Sequence, residues 1–208
     1  MRRIAAAAAL MWPLWTGAAV YEDILHAIEI DDHHTVAQLL KRGVDVNTVN
    51  PQGESLLLLA ARSGKAAVVQ ALLAARPNLN ARNAHGETAL MHAAIRGRAD
   101  IVKLLLAAGA EVNHPGWTPL MYAAANNQLE VARMLVARGA QVNATAQNGT
   151  TALMMAAREG HLPMVLLLLE HGADVNYTSA FGYNALGVAF ERGQRDVADA
   201  LIRAGARR

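Results

Sequence analysis

The chain of 208 residues contains no cysteine, which excludes disulfide frameworks, thiol nucleophiles and cysteine-ligated zinc. Aromatic residues are scarce at 4%, so any core has to be filled by alanine and aliphatic side chains. Lys and Arg never form a block of five, and the formal charge is only +2, which leaves no electrostatic footprint for a nucleic-acid partner. The longest apolar run falls well short of the ~20 residues that a bilayer-spanning helix needs. The sequence holds no Gly-x-x-x-x-Gly-Lys phosphate loop, no Ser-His-Asp grouping and no paired carboxylates at a catalytic spacing.

What is present begins with a leader. Arg2 and Arg3 form a short basic start, Ile4 to Trp15 is mostly apolar, and Thr16-Gly17-Ala18-Ala19 supplies small residues for cleavage. That is the three-part layout of a secretory signal peptide over residues 1–19, with cleavage near Ala19 and a destination in the periplasm or medium. A hydrophobic helix packed on the first unit is the other reading of the same segment. Removing Arg2 and Arg3 leaves 17 basic and 17 acidic residues, a formally neutral chain.

From there the sequence repeats. Asn47, Asn80, Asn113, Asn143 and Asn176 recur at intervals of 33, 33, 30 and 33 residues, each behind Val or Leu. A fixed period of this length means one supersecondary unit copied along the chain. Ser55, Thr88, Thr118, Thr151 and Asn184 share one phase and are suited to cap a first helix. Gly64, Gly97, Asn127, Gly160 and Gly193 follow that helix as stop signals. Gly43, Gly109, Gly139, Gly172 and Gly205 stop a second helix in the same way. Local signals and global period agree, which is the mark of a foldable design.

The segments Thr88-Ala89-Leu90-Met91-His92-Ala93-Ala94, Thr118-Pro119-Leu120-Met121-Tyr122-Ala123-Ala124 and Leu168-Leu169-Glu170-His171-Gly172-Ala173-Asp174-Val175-Asn176 resemble the ankyrin repeat. The resemblance covers roughly residues 22–206. It implies an all-α repeat solenoid whose units are helix-turn-helix with a β-hairpin, stacked side by side. Residues 20–208 then divide into a degenerate first repeat at 22–49 and fuller repeats at 50–82, 83–113, 114–145, 146–178 and 179–208.

Three departures stand out. His114-Pro115-Gly116-Trp117 replaces a whole hairpin with three residues fewer, which should leave a notch in the row of tips. Arg76-Pro77 stands where the other units have Gly-Ala or Gly-Val, so that helix should end differently. Met91, Met121 and Met154 occupy the position of a family histidine, so its bonds between repeats should be missing.

The resemblance also implies where a partner binds, namely the hairpin tips and the exposed ends of the first helices on the concave face. Carried over by position, this selects Glu87, Trp117 and Tyr183 before the caps. At the helix ends it selects Arg62, Ile95, Arg96, Asn126, Arg158, Glu159 and Arg192. Exposed aromatics and arginines dominate interface energies. Trp117 has a second reading, as a plug for its shortened hairpin, and Phe181 with Tyr183 as a cover for the end of the stack. His33-His34 beside Asp31-Asp32 is the densest group of ligand types, but neighbours on a turn cannot converge on one ion. His92, Tyr122 and Met155 share one repeated position, expected to pack between repeats. The expectation is a non-enzymatic, monomeric module with no cofactor, no metal, no nucleic acid and no membrane span in its mature form. It binds a protein in the periplasm of a bacterium, or alternatively neutralises a toxic or lytic enzyme as an inhibitor or immunity protein.

Overall fold

The computed structural model describes residues 17–207. The expected leader lies outside them except for its last three residues. Among the described residues twelve helices follow one another: α1 (Gly17–Glu29), α2 (His33–Lys41), α3 (Leu56–Ser63), α4 (Ala66–Ala74), α5 (Ala89–Ile95) and α6 (Ala99–Ala108), then α7 (Pro119–Ala125), α8 (Leu129–Ala137), α9 (Ala152–Glu159), α10 (Leu162–Glu170), α11 (Ala185–Glu191) and α12 (Arg195–Arg203). Each odd-numbered helix packs on the even one after it, and a connection this short makes the pair antiparallel. Odd helices also pack on odd and even on even, giving two rows around one continuous core. This is the all-helical repeat solenoid that the resemblance implies. None of the described helices is long and apolar enough to cross a membrane.

The predicted caps form as hydrogen bonds. Ser55, Thr88, Thr118, Thr151 and Asn184 each accept from the backbone N–H three residues on. Pro119 sits at the start of α7, where a missing N–H costs nothing. Both sets of stop residues take positive φ, Asn127 included at 54°. Alanine pairs set how closely the odd helices approach. Ala60-Ala61, Ala93-Ala94, Ala123-Ala124 and Ala156-Ala157 are all fully buried, and any larger side chain there would push neighbouring units apart.

The repeating asparagines clasp each unit to the next. The side-chain oxygens of Asn47, Asn80, Asn113, Asn143 and Asn176 accept from the backbone N–H of Asn78, Glu111, Gln141, Asp174 and Arg207, at 2.7–3.0 Å. The amide nitrogens of Asn113, Asn143 and Asn176 also donate to the carbonyls of Gly139, Gly172 and Gly205. A second row of clasps opens the even helices: Gln128, His161 and Gln194 reach back to the carbonyls of Ile95, Ala125 and Arg158.

Three expectations need correction or refinement. The tips are turns rather than β-hairpins: among the described residues the one bridge is Val49 with Ser55. Each full-length tip closes with a backbone bond across the turn, as from Asn83 N to Glu87 O at 3.0 Å, and only the first adds a second, from Leu56 N to Thr48 O at 3.4 Å, which is too little for a ladder. Arg76 does not end α4 in a different conformation; it takes the left-handed φ of 55° that glycine holds elsewhere. What changes is the bond after it. Val44, Ala110, Ala140, Ala173 and Ala206 donate back to the carbonyl five residues earlier, and Pro77 has no N–H to do so. The three methionines are buried, and the sulfur of Met91 takes a bond from Thr88 N within its own unit at 3.4 Å. The end helix α12 buries Val197, Ala198, Ala200 and Leu201 and turns a polar face outward, as a terminal unit must.

Candidate functional site

The shortened turn leaves the expected notch. Its walls are the neighbouring tips, Arg82 to Gly86 on one side and Gln147-Asn148 on the other, with Pro115, Gly116, Trp117 and Tyr122 beneath them. The slot encloses about 410 Å³. Trp117 plugs the shortened turn without leaving the slot. It is half-buried and packed against the core, yet it forms part of the slot's floor, with its ring centroid 5.3 Å from that of Tyr122.

Beneath the slot lies a hub that the sequence did not disclose. Glu87 is held by three side chains: Asn83 Nδ2 donates at 3.0 Å, His92 Nε2 lies at 3.0 Å and the Tyr122 hydroxyl donates at 3.1 Å. Asn83 in turn accepts from the backbone N–H groups of His85 and Glu87 at 2.9 Å, which shapes the tip. Burial pulls the Glu87 carboxyl upward, but the bonds from Asn83, Tyr122 and His92, with the charge of His92, outweigh it and hold the group below its ordinary value. Burial and the adjacent Glu87 charge push the Tyr122 phenol to about 12, so it stays a donor. His92 and Tyr122 are therefore not merely core fillers; only Met155, the third member of that position, is buried without a polar role. An earlier tip repeats the design: Asn50 Nδ2 donates to Glu54, and Glu54 pairs with Arg62 instead of a tyrosine.

A second cleft of about 350 Å³ adjoins the first through Asn148. Buried Met154 and Met155 line it together with Phe181, Tyr183, Arg158, Glu191 and Arg192. Phe181 and Tyr183 are 69% and 53% exposed, so they do not close over the end of the stack. The structure thus gathers Glu87, Trp117, Arg158, Tyr183 and Arg192 about two contiguous clefts. Arg62 belongs instead to a separate cleft near Leu25 and Ile28. Ile95 is half-buried and Arg96 exposed, outside all of these. Asn126 folds its amide back to the Tyr122 carbonyl at 2.9 Å, and Glu159 makes an exposed pair with Arg158 at 2.8 Å, worth at most about 1 kcal/mol.

Elsewhere, Asp32 caps α2 through Thr35, and the rings of His33 and His34 stack at 4.1 Å. Among the described residues no group of three or more His, Asp or Glu is placed to hold a metal ion. His114 is buried at the base of its turn with Nε2 lacking a hydrogen-bond partner. Burial, with the charge of Arg82, lowers its basicity against the opposing pull of Glu111.

The family model described as ankyrin repeats (3 copies) matches residues 24–115, 83–146 and 120–207. Among solved structures, the chain is similar to the human ASB11 ankyrin repeat domain, with 26% identity and a TM-score of 0.81, covering 88% of this chain and 84% of that one. It is also similar to one chain of the complex between the Bd0816 predatory endopeptidase from Bdellovibrio bacteriovorus and immunity protein Bd3460. There the identity is 32% and the TM-score 0.78, over 88% of this chain and 97% of that one. No curated protein matches the chain.

Proposed function

This chain belongs to the ankyrin-repeat family, and from that we propose that it is a non-enzymatic module that holds one protein partner against its two adjoining clefts. Ankyrin repeats are protein-interaction modules, and the fold is typically a binding scaffold without catalytic activity. The observation that carries the reading here is the pair of contiguous clefts, in which Trp117, Phe181 and Tyr183 stand beside Arg158 and Arg192. Aromatics and arginines on a preformed surface are the composition of interface hot spots, and a rigid stack loses little entropy on docking.

The test is capture from an envelope extract by the immobilised chain, set beside a Trp117→Ala/Tyr183→Ala variant of unchanged stability. A partner retained by the wild type and lost by the variant supports this face. Equal retention places the contact elsewhere.

A second, sharper reading is favoured by the related complex, in which an immunity protein is bound to an endopeptidase. In that reading the chain neutralises a lytic enzyme by occupying it. Stoichiometric loss of the captured partner's hydrolytic activity would carry the idea, and full activity in the complex would end it.

The proposed site of action is the periplasm, reached through the leader over residues 1–19. Cleavage near Ala19 would leave Ile24, Ala27 and Ile28, the buried residues among the described side chains of α1, in place. N-terminal sequencing of the envelope form should begin close to Val20, and an intact Met1 would argue against export.

A further inference from the structure

We infer that the slot left by the shortened turn receives an acidic side chain of the partner, which makes Arg82 the residue that selects for it. This rests on the docking face proposed above and adds the chemistry of what enters it. No carboxylate lines the slot, while Arg82 and His85 stand on one wall and the amides of Gln147 and Asn148 on the other. Arg82 is exposed and makes no hydrogen bond or ion pair among the described residues, unlike Arg62 and Arg158, which have carboxylate partners. Glu87, beneath the slot, already accepts from Asn83, His92 and Tyr122.

A carboxylate entering from outside therefore meets an unengaged guanidinium over a half-buried aromatic floor. Arginine offers a carboxylate two parallel donors. The Asn148 side-chain oxygen is occupied by Thr150 N at 3.1 Å, which leaves its amide nitrogen to donate to the backbone that carries the acid. The volume, about 410 Å³, admits a side chain together with part of its main chain.

The experiment selects a phage-displayed random dodecapeptide library on the purified chain, then measures the recovered peptides against Trp117→Ala, Arg82→Glu, Arg82→Gln and Arg133→Glu. Arg133 is exposed on α8, lines neither cleft and controls for general charge. Expected are peptides rich in Asp or Glu, lost with Trp117→Ala and weakened at least tenfold by Arg82→Glu. The loss should be smaller with Arg82→Gln and least with Arg133→Glu, and binding should fall as salt rises. Peptides without an acidic residue that still depend on Trp117 would overturn this assignment and leave the docking face standing. Equal losses for Arg82→Glu and Arg133→Glu would also overturn it. No enrichment, or peptides indifferent to Trp117, would remove both ideas together.

Discussion

Replacing Glu87 with alanine should be among the costliest single changes at a partly exposed position of this protein. The substitution strips the acceptor from His92 and Tyr122, both in the half-buried layer beneath the slot, and from Asn83, which can turn to water. A hydrogen bond to a charged group contributes ~1.5–3 kcal/mol, and the Glu87 side chain keeps a fifth of its surface exposed, which argues for the lower end. Two such bonds then give a loss of about 3 kcal/mol, or roughly 6–12 °C in Tm for a domain of this size. Urea unfolding followed by circular dichroism measures the whole. With Trp12 and Trp15 changed to Phe, fluorescence of Trp117, the remaining tryptophan, follows the slot itself. A double-mutant cycle with Tyr122→Phe should show coupling of about 1 kcal/mol or more. The carboxyl is held below its ordinary value of 4.5, so its contribution is complete above that pH and disappears as acid protonates the folded form. A loss under about 1 kcal/mol, or additive effects of the two substitutions, would refute the hub.

Three other outcomes follow from the geometry. Arg76→Gly should stabilise the chain by roughly 0.5–1 kcal/mol, because relief of the left-handed strain exceeds the added chain entropy; thermal melting decides it. Gly149→Ala should destabilise by about 2 kcal/mol or more, since φ is 75° and the new methyl would lie 2.6 Å from Ser179 Cβ in the next tip; an unchanged melt would contradict the packing of those tips. The buried ring of His114 binds protons less readily than the ordinary value of 6.5, so the unfolded chain takes up its proton first. Stability is then complete above that pH and declines as pH falls through the window beneath it, and His114→Leu should flatten the decline over pH 5–7.

The period and the caps were legible because neighbours along the chain determine them: Thr118 reaches Met121, and Gly64 needs no other unit to take positive φ. The notch was legible as a deletion. The asparagine clasps were visible as a rhythm but not as bonds, since Asn143 meets Asp174 only after stacking. The Glu87 hub was hidden for the same reason, with Tyr122 a full unit away, although the Asn-x-x-x-Glu spacing shared by Asn50-Glu54 and Asn83-Glu87 was a signal. Arg76 misled because sequence shows the missing glycine but not that its neighbours enforce the conformation regardless. The strands were overestimated because one or two closing bonds per tip sustain no ladder.

The short turn at Pro115-Gly116 has a bearing on how such a protein changes its choice of target. Adding three residues there would fill the recess while Leu120, Met121 and the rest of α7 stayed seated, because Pro115 and Gly116 themselves carry none of the interior. Recognition could then be switched off, or redirected, by a nine-nucleotide insertion that leaves the foldedness of the molecule almost untouched.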